Sequence, residues 1–91
     1  MGIKRNAKQF ERHFKGVANH HRIDILRLLE KTDGLTLDAI TEQLEANFKT
    51  MSEHTRKLVH AELVFKKYKG RSVIHTLSPF GKKLLGFMRT F

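Results

Sequence analysis

The 91 residues are the length of one small domain, and a hydrophobic content of 40% supports a core, though a thin one that a partner would help to cover. A formal charge of +9, from 18 Lys and Arg against 9 Asp and Glu, directs the chain towards polyanions, nucleic acid ahead of acidic membrane. The absence of cysteine excludes a disulfide framework, a thiolate metal site and a cysteine nucleophile, and no run approaches the roughly 18 apolar residues of a membrane span.

The N-terminus is basic but carries no apolar signal region, and Asn6 stands where a myristoylated chain needs Ser or Thr, so a cytoplasmic, nucleoid-associated protein is expected. Ile3, Ala7, Phe10, Phe14 and Val17 recur at spacings of four, three, four and three, which predicts a helix from about Lys4 to Val17 with a heptad-like stripe. Two phenylalanines on a terminal helix are unfavourable in water, so the stripe packs within the domain, against a second copy, or both. Asn19 then caps a second helix, HHRIDILRLLEK, whose Ile23, Ile25, Leu26 and Leu29 make it the most core-like segment. Gly34 can close it in a left-handed conformation, and Leu35 can pair briefly as a strand residue.

Thr36 caps a third helix, LDAITEQLE, with Leu37, Ile40 and Leu44 inward, and only a tight turn at Ala46 and Asn47 precedes a fourth, from about Phe48 to Ala61. On the fourth helix Met51, Thr55 and Leu58 share one side, while Lys49, Ser52, Glu53, Arg56, Lys57 and His60 share the other. Two short helices joined this closely form a helix-turn-helix, in which the first supports and the second projects. The period then changes: LVFKKYK and SVIHTL read as strands around Gly70 and Arg71, a hairpin with a cationic tip of Lys66, Lys67, Lys69 and Arg71. Ser78 and Pro79 open a last helix on which Phe80, Leu84, Phe87 and Phe91 repeat, widened by Leu85 and Met88. Charge is sorted along the chain. All acids lie between Glu11 and Glu62, and the segment from Leu35 to Phe48 contains no base.

This order of elements resembles the winged helix-turn-helix regulators of the ArsR type, over nearly the whole chain. The stretches that carry the resemblance are ANHHRIDILRLLE, LTLDAITEQL, TMSEHTRKLVHAELV and YKGRSVIHTLSPFGKKLL, the last with a helix start shared by MarR and PadR relatives. Three positions depart from the family pattern: His20 stands where proline is common, Thr55 where a core leucine is usual and Glu62 where glycine is usual. The expected fold is mainly α within the α+β class, a single winged helix-turn-helix domain over residues 1–91.

The resemblance implies a homodimer that sets two recognition helices in successive major grooves, about 34 Å apart, on an inverted repeat of double-stranded DNA. Arg56 and Lys49 are the expected readers of guanine acceptors, with Ser52 and Asn47 bonding bases or phosphate. Glu53 pairs within its own helix with Arg56 or Lys57 or accepts from cytosine, and Thr50 and Lys57 complete the helix's set. Thr36, Lys66, Lys67, Lys69 and Arg71 hold the DNA backbone. The dimer contact is expected from Ile3, Ala7, Phe10, Phe14 and Val17 at one end and Leu84, Phe87, Met88 and Phe91 at the other.

The six histidines show no close ligand pattern, with His20 and His21 expected to diverge on their helix and His54 to be a partly buried structural residue, so no metal or other cofactor is expected. No nucleophile–base arrangement or phosphate-binding glycine loop points to catalysis. A protein-binding winged helix and a nonspecific DNA- or RNA-binding protein are the alternatives to a repressor. A membrane role for the terminal helices ranks below both, and the effector is not specified by these residues.

Overall fold

The computed structural model describes residues 5–91. Five helices and one hairpin follow in order: α1 (Ala7–Val17), α2 (His20–Lys31), α3 (Leu37–Gln43), α4 (Phe48–His60), β1 (Val64–Lys69), β2 (Ser72–Leu77) and α5 (Pro79–Met88). The class is α+β and mostly helical. Side-chain oxygens of Asn6, Asn19, Thr36, Asn47 and Ser78 each accept a backbone N–H of the helix that follows, satisfying donors that no earlier turn can reach. The first helix therefore begins at Ala7 rather than near residue 4, because Asn6 is extended and exchanges capping bonds with Gln9. Ile3 and Lys4 lie outside the described residues.

The strands pair antiparallel with Lys69 opposite Ser72 across the two-residue turn, where Gly70 takes a φ of 63°. Leu35 joins their edge through a bridge to His75, as expected of a lone strand residue. The core gathers Ile25, Leu26 and Leu29 from α2, Ile40 from α3, and Met51 and Leu58 from α4, with Leu63 and Val64 beyond them.

Two turns depart from the sequence expectation in the same way. The third helix stops at Gln43, not Glu45, and both it and α4 end in a left-handed residue that is a glutamate: Glu45 at φ 51° and Glu62 at φ 64°. In each, the residue after the glutamate donates back to the last turn, Ala46 to the Thr41 carbonyl at 3.0 Å and Leu63 to the Leu58 carbonyl at 3.0 Å. At the second, Leu63 and Leu58 are both fully buried, so the apolar contact that accompanies this closure holds Glu62 in a conformation glycine usually supplies.

Ser78 locks the same corner. Its Oγ donates to the Glu62 carbonyl at 2.8 Å and its N–H to the Leu63 carbonyl at 3.1 Å, so the exit of α4 and the start of α5 are tied together. Thr55, at the position where leucine is usual, is buried, and its Oγ1 has no hydrogen-bond partner among the described residues.

Candidate nucleic-acid interface

The position of α4 follows from what its inner face buries. Met51, Thr55 and Leu58 are buried as their spacing predicts, which leaves Lys49, Glu53, Arg56, Lys57 and His60 exposed on the opposite side and Ser52 half-buried at its edge. Asn47 and Thr36 have part of their bonding capacity committed: Asn47 Oδ1 accepts from Thr50 N at 3.0 Å, and Thr36 Oγ1 from Ala39 N at 3.1 Å. For an outside partner that leaves the Asn47 amide N–H groups and the Thr36 hydroxyl proton, both donors suited to an anion. Glu53 lies 3.9 Å from Arg56 on its own helix, in line with the intrahelical role.

Thr50 does not join the exposed row. It turns towards α2 and borders a cleft with His20, His21 and Asp24. Phe48, to which the sequence reading gave no role, is 51% exposed at the first turn of α4. It precedes Ser52 and Arg56 by four and eight residues, so the three form one ridge along the helix, a spacing that was available in the sequence.

The hairpin separates residues that the sequence had grouped at its tip. Lys66 pairs with His75 and Tyr68 with Val73, while Lys67 pairs with Ile74 and Lys69 with Ser72, so alternation puts Lys66 on one face and Lys67 and Lys69 on the other. Lys66 borders a groove of about 260 Å³ with Ser52 and Arg56 of α4. It is therefore the hairpin lysine that lies with the outer face of α4. Arg71 is exposed beside Gly70 in the turn.

Several histidines are structural. His75 is buried, and its Nδ1 donates to the Leu35 carbonyl at 3.0 Å; burial pushes its pKa below the usual 6.5, Lys66 adds to that and the Leu35 carbonyl opposes it. His54 is half-buried as expected, with Nδ1 accepting from Arg22 Nε at 3.1 Å. Its pKa is also lowered, chiefly by burial, then by Arg22, His21 and Lys57, against a raising effect of Glu53. The rings of His20 and His21 do not diverge: they lie 4.1 Å apart, and His21 stacks on His54 at 5.1 Å. They occupy the first turn of α2, where no preceding turn restricts their rotamers. Among the described residues, no group of three or more His, Cys, Asp or Glu is arranged to hold a metal ion.

The expected dimer surface divides. Val17 and Leu84 are 8% and 7% exposed and pack into the chain's own core, a correction to their expected place on the surface. Ala7, Phe10, Phe14, Phe87 and Phe91 are exposed and Met88 is half-buried. Phe10 stacks on Phe14 at 6.4 Å and Phe87 meets Phe91 edge-on at 5.0 Å. No helix among the described residues is long and apolar enough to cross a membrane.

No protein-family model and no curated protein sequence matches the chain. Solved structures do. HlyU from Vibrio cholerae superposes with a TM-score of 0.81 at 24% identity, over 97% of this chain and 96% of that one. The homodimeric winged helix-turn-helix DNA-binding domain of a possible ArsR-family regulator from Mycobacterium bovis gives 0.82 at 23%, over 99% and 88%. The transcriptional repressor PagR of Bacillus anthracis gives 0.81 at 18%, over 89% and 93%. The fold of this chain is the winged helix-turn-helix of these regulators.

Proposed function

We propose that this protein is not an enzyme but a regulator of transcription in the cytoplasm, a repressor that binds an inverted repeat in double-stranded DNA as a homodimer. The observation that carries the reading is the ridge and face of α4, where Phe48, Lys49, Ser52, Glu53 and Arg56 stand outward on a helix whose other side is locked into the core. Arg56 and Lys49 read base edges. Thr36, Asn47 and Lys66 hold the flanking phosphates, and Lys57, Lys67, Lys69 and Arg71 add attraction that carries little sequence information. The exposed Phe10, Phe14, Phe87 and Phe91 are the contact for the second copy. Dimeric and repressor relatives of the same fold support both assignments.

Selection of bound sequences from a random duplex library, at low and physiological salt, tests the reading. An enriched inverted repeat whose preference relaxes in Arg56→Ala is expected. Binding without a motif that fades as salt rises would replace it with nonspecific attraction. Phe10→Glu with Phe14→Glu tests the dimer by ultracentrifugation. A truncation of residues 1–17 would not serve, since it also strips His13, Gly16 and Val17 from the core.

A further inference from the structure

A second groove, of about 650 Å³, runs along the flank of α4 that faces the end of α1 and the start of α2. Arg12, Lys15, Arg22, Arg56, Lys57 and His60 line it. The small residues Gly16, Ala18 and Ala61 form the rest of its wall, so no bulky side chain fills the space between the cationic stems. Three of the cations have carboxylate partners: Arg12 with Glu62 at 3.1 Å, Lys15 with Glu11 at 3.0 Å and Arg56 with Glu53 at 3.9 Å. None of those carboxylates borders the groove, and the pairs stand in solvent, where they are weak and open readily.

Arg22 is held in place rather than mobile. Its Nε donates to His54, and Nη1 donates to the carbonyls of Lys15 and Gly16, each at 3.1 Å, which leaves Nη2 without a protein partner among the described residues. Some of this charge answers helix C-termini. Lys15 sits in the last turn of α1, Lys57 and His60 in that of α4, and Arg22 satisfies the final carbonyls of α1. That role does not extend to Arg12 and Arg56, which belong to neither last turn.

We propose that this groove is a phosphate-binding site that shares only Arg56 with the base-reading ridge of α4, and that it takes neighbouring phosphates either from a free di- or triphosphate or from a duplex backbone. A fixed guanidinium and several ammonium and guanidinium groups around one small-residue wall match a ligand with more than one negative charge and many acceptor oxygens. Arg56 borders both this groove and the one shared with the wing, so a free phosphate held here draws on the same side chain that the proposed function uses to read bases. That consequence rests on the duplex reading; the site itself does not.

Titration of inorganic pyrophosphate into the isotope-labelled full chain at fixed ionic strength, with sulfate as the control, tests the free-anion arm. Saturable amide shifts centred on Gly16, Ala18 and Ala61 are expected, with a dissociation constant below about 1 mM that weakens about tenfold in R12Q/K15Q. In the second arm a random duplex is titrated over a salt series, and backbone phosphates in the groove predict that the same double variant lowers the salt slope by about one to two. Response in the first arm identifies a free phosphate as ligand, and response in the second the DNA backbone. Pyrophosphate shifts that match those of sulfate, together with an unchanged slope, would overturn the proposal. A filled groove in a chain that selects no duplex sequence would overturn the base-reading function and leave this site standing.

Discussion

His13 on the first helix and Ala61 at the end of α4 are joined by a buried hydrogen bond across 48 residues of sequence, with His13 Nδ1 donating to the Ala61 carbonyl at 2.8 Å. The direction is set from the other side of the ring, where Nε2 accepts from Arg5 Nε at 3.1 Å and so leaves the proton on Nδ1. His13→Phe keeps much of the ring's volume beside Phe80 but strands the carbonyl without its donor. A loss of about 1–3 kcal/mol in urea unfolding is expected, and an unchanged midpoint would mean the bond is replaced by water.

Gly16 lets the same two helices approach. A Cβ there would collide with the Ala61 Cβ, so Gly16→Ala forces the helices apart. The expected destabilisation is about 1–3 kcal/mol. Ala61→Gly removes the atom it strikes, so the double variant should recover more than the two single effects predict when added, and a strictly additive double-mutant cycle would refute the contact.

Glu45 occupies the left-handed region and is exposed, with no ion pair formed among the described residues. Replacing it with glycine relieves a conformation that is unfavourable for a residue with a Cβ by about 1–2 kcal/mol, offset in part by the greater freedom of glycine in the unfolded chain. Glu45→Gly should therefore raise the melting temperature. A fall would show that its side chain makes a contribution larger than its backbone strain.

The two lowered histidines make stability depend on pH in one direction. Well above about pH 6.5 both rings are neutral in the folded and the unfolded chain, and stability is at its full value. As pH falls below that, the unfolded chain takes up protons that buried His75 and half-buried His54 resist, so folding weakens. The urea midpoint should drop between pH 7 and pH 5.5. His75→Asn retains a donor for the Leu35 carbonyl and cannot titrate, so it should make the profile shallower and leave only the part that His54 contributes.

On the reading that α4 lies in a major groove, Phe48 has no polar group to offer a base and is suited to the 5-methyl of thymine. Replacing each thymine of the selected site by deoxyuridine removes only that methyl. The substitution expected to matter should lower affinity about fourfold in the native protein, the value of one buried methyl, and leave Phe48→Ala indifferent. Specific binding with equal affinity for both duplexes would remove Phe48 from base recognition.

What the sequence determined by itself was local: which residues cap each helix and which share a face. Asn19, Thr36, Asn47 and Ser78 act on N–H groups two or three residues away, and the rows of α4 and of the hairpin follow from periods of 3.6 and 2. Periodicity cannot say what each face meets. The stripe Ala7, Phe10, Phe14 and Val17 is one row in sequence, yet Val17 enters the core while the phenylalanines stay in water, because the side of α1 that packs on the domain runs through His13, Gly16 and Val17, and Phe10 and Phe14 are rotated away from it. Glu62 stands out in the sequence as a residue at a glycine position, but that it keeps the left-handed conformation is decided by the burial of Leu58 and Leu63 on either side, and nothing in the sequence marks Glu45. The groove beside α4 belongs to the tertiary structure alone. Arg12, Arg22 and Arg56 stand on three different helices and converge only when those helices pack.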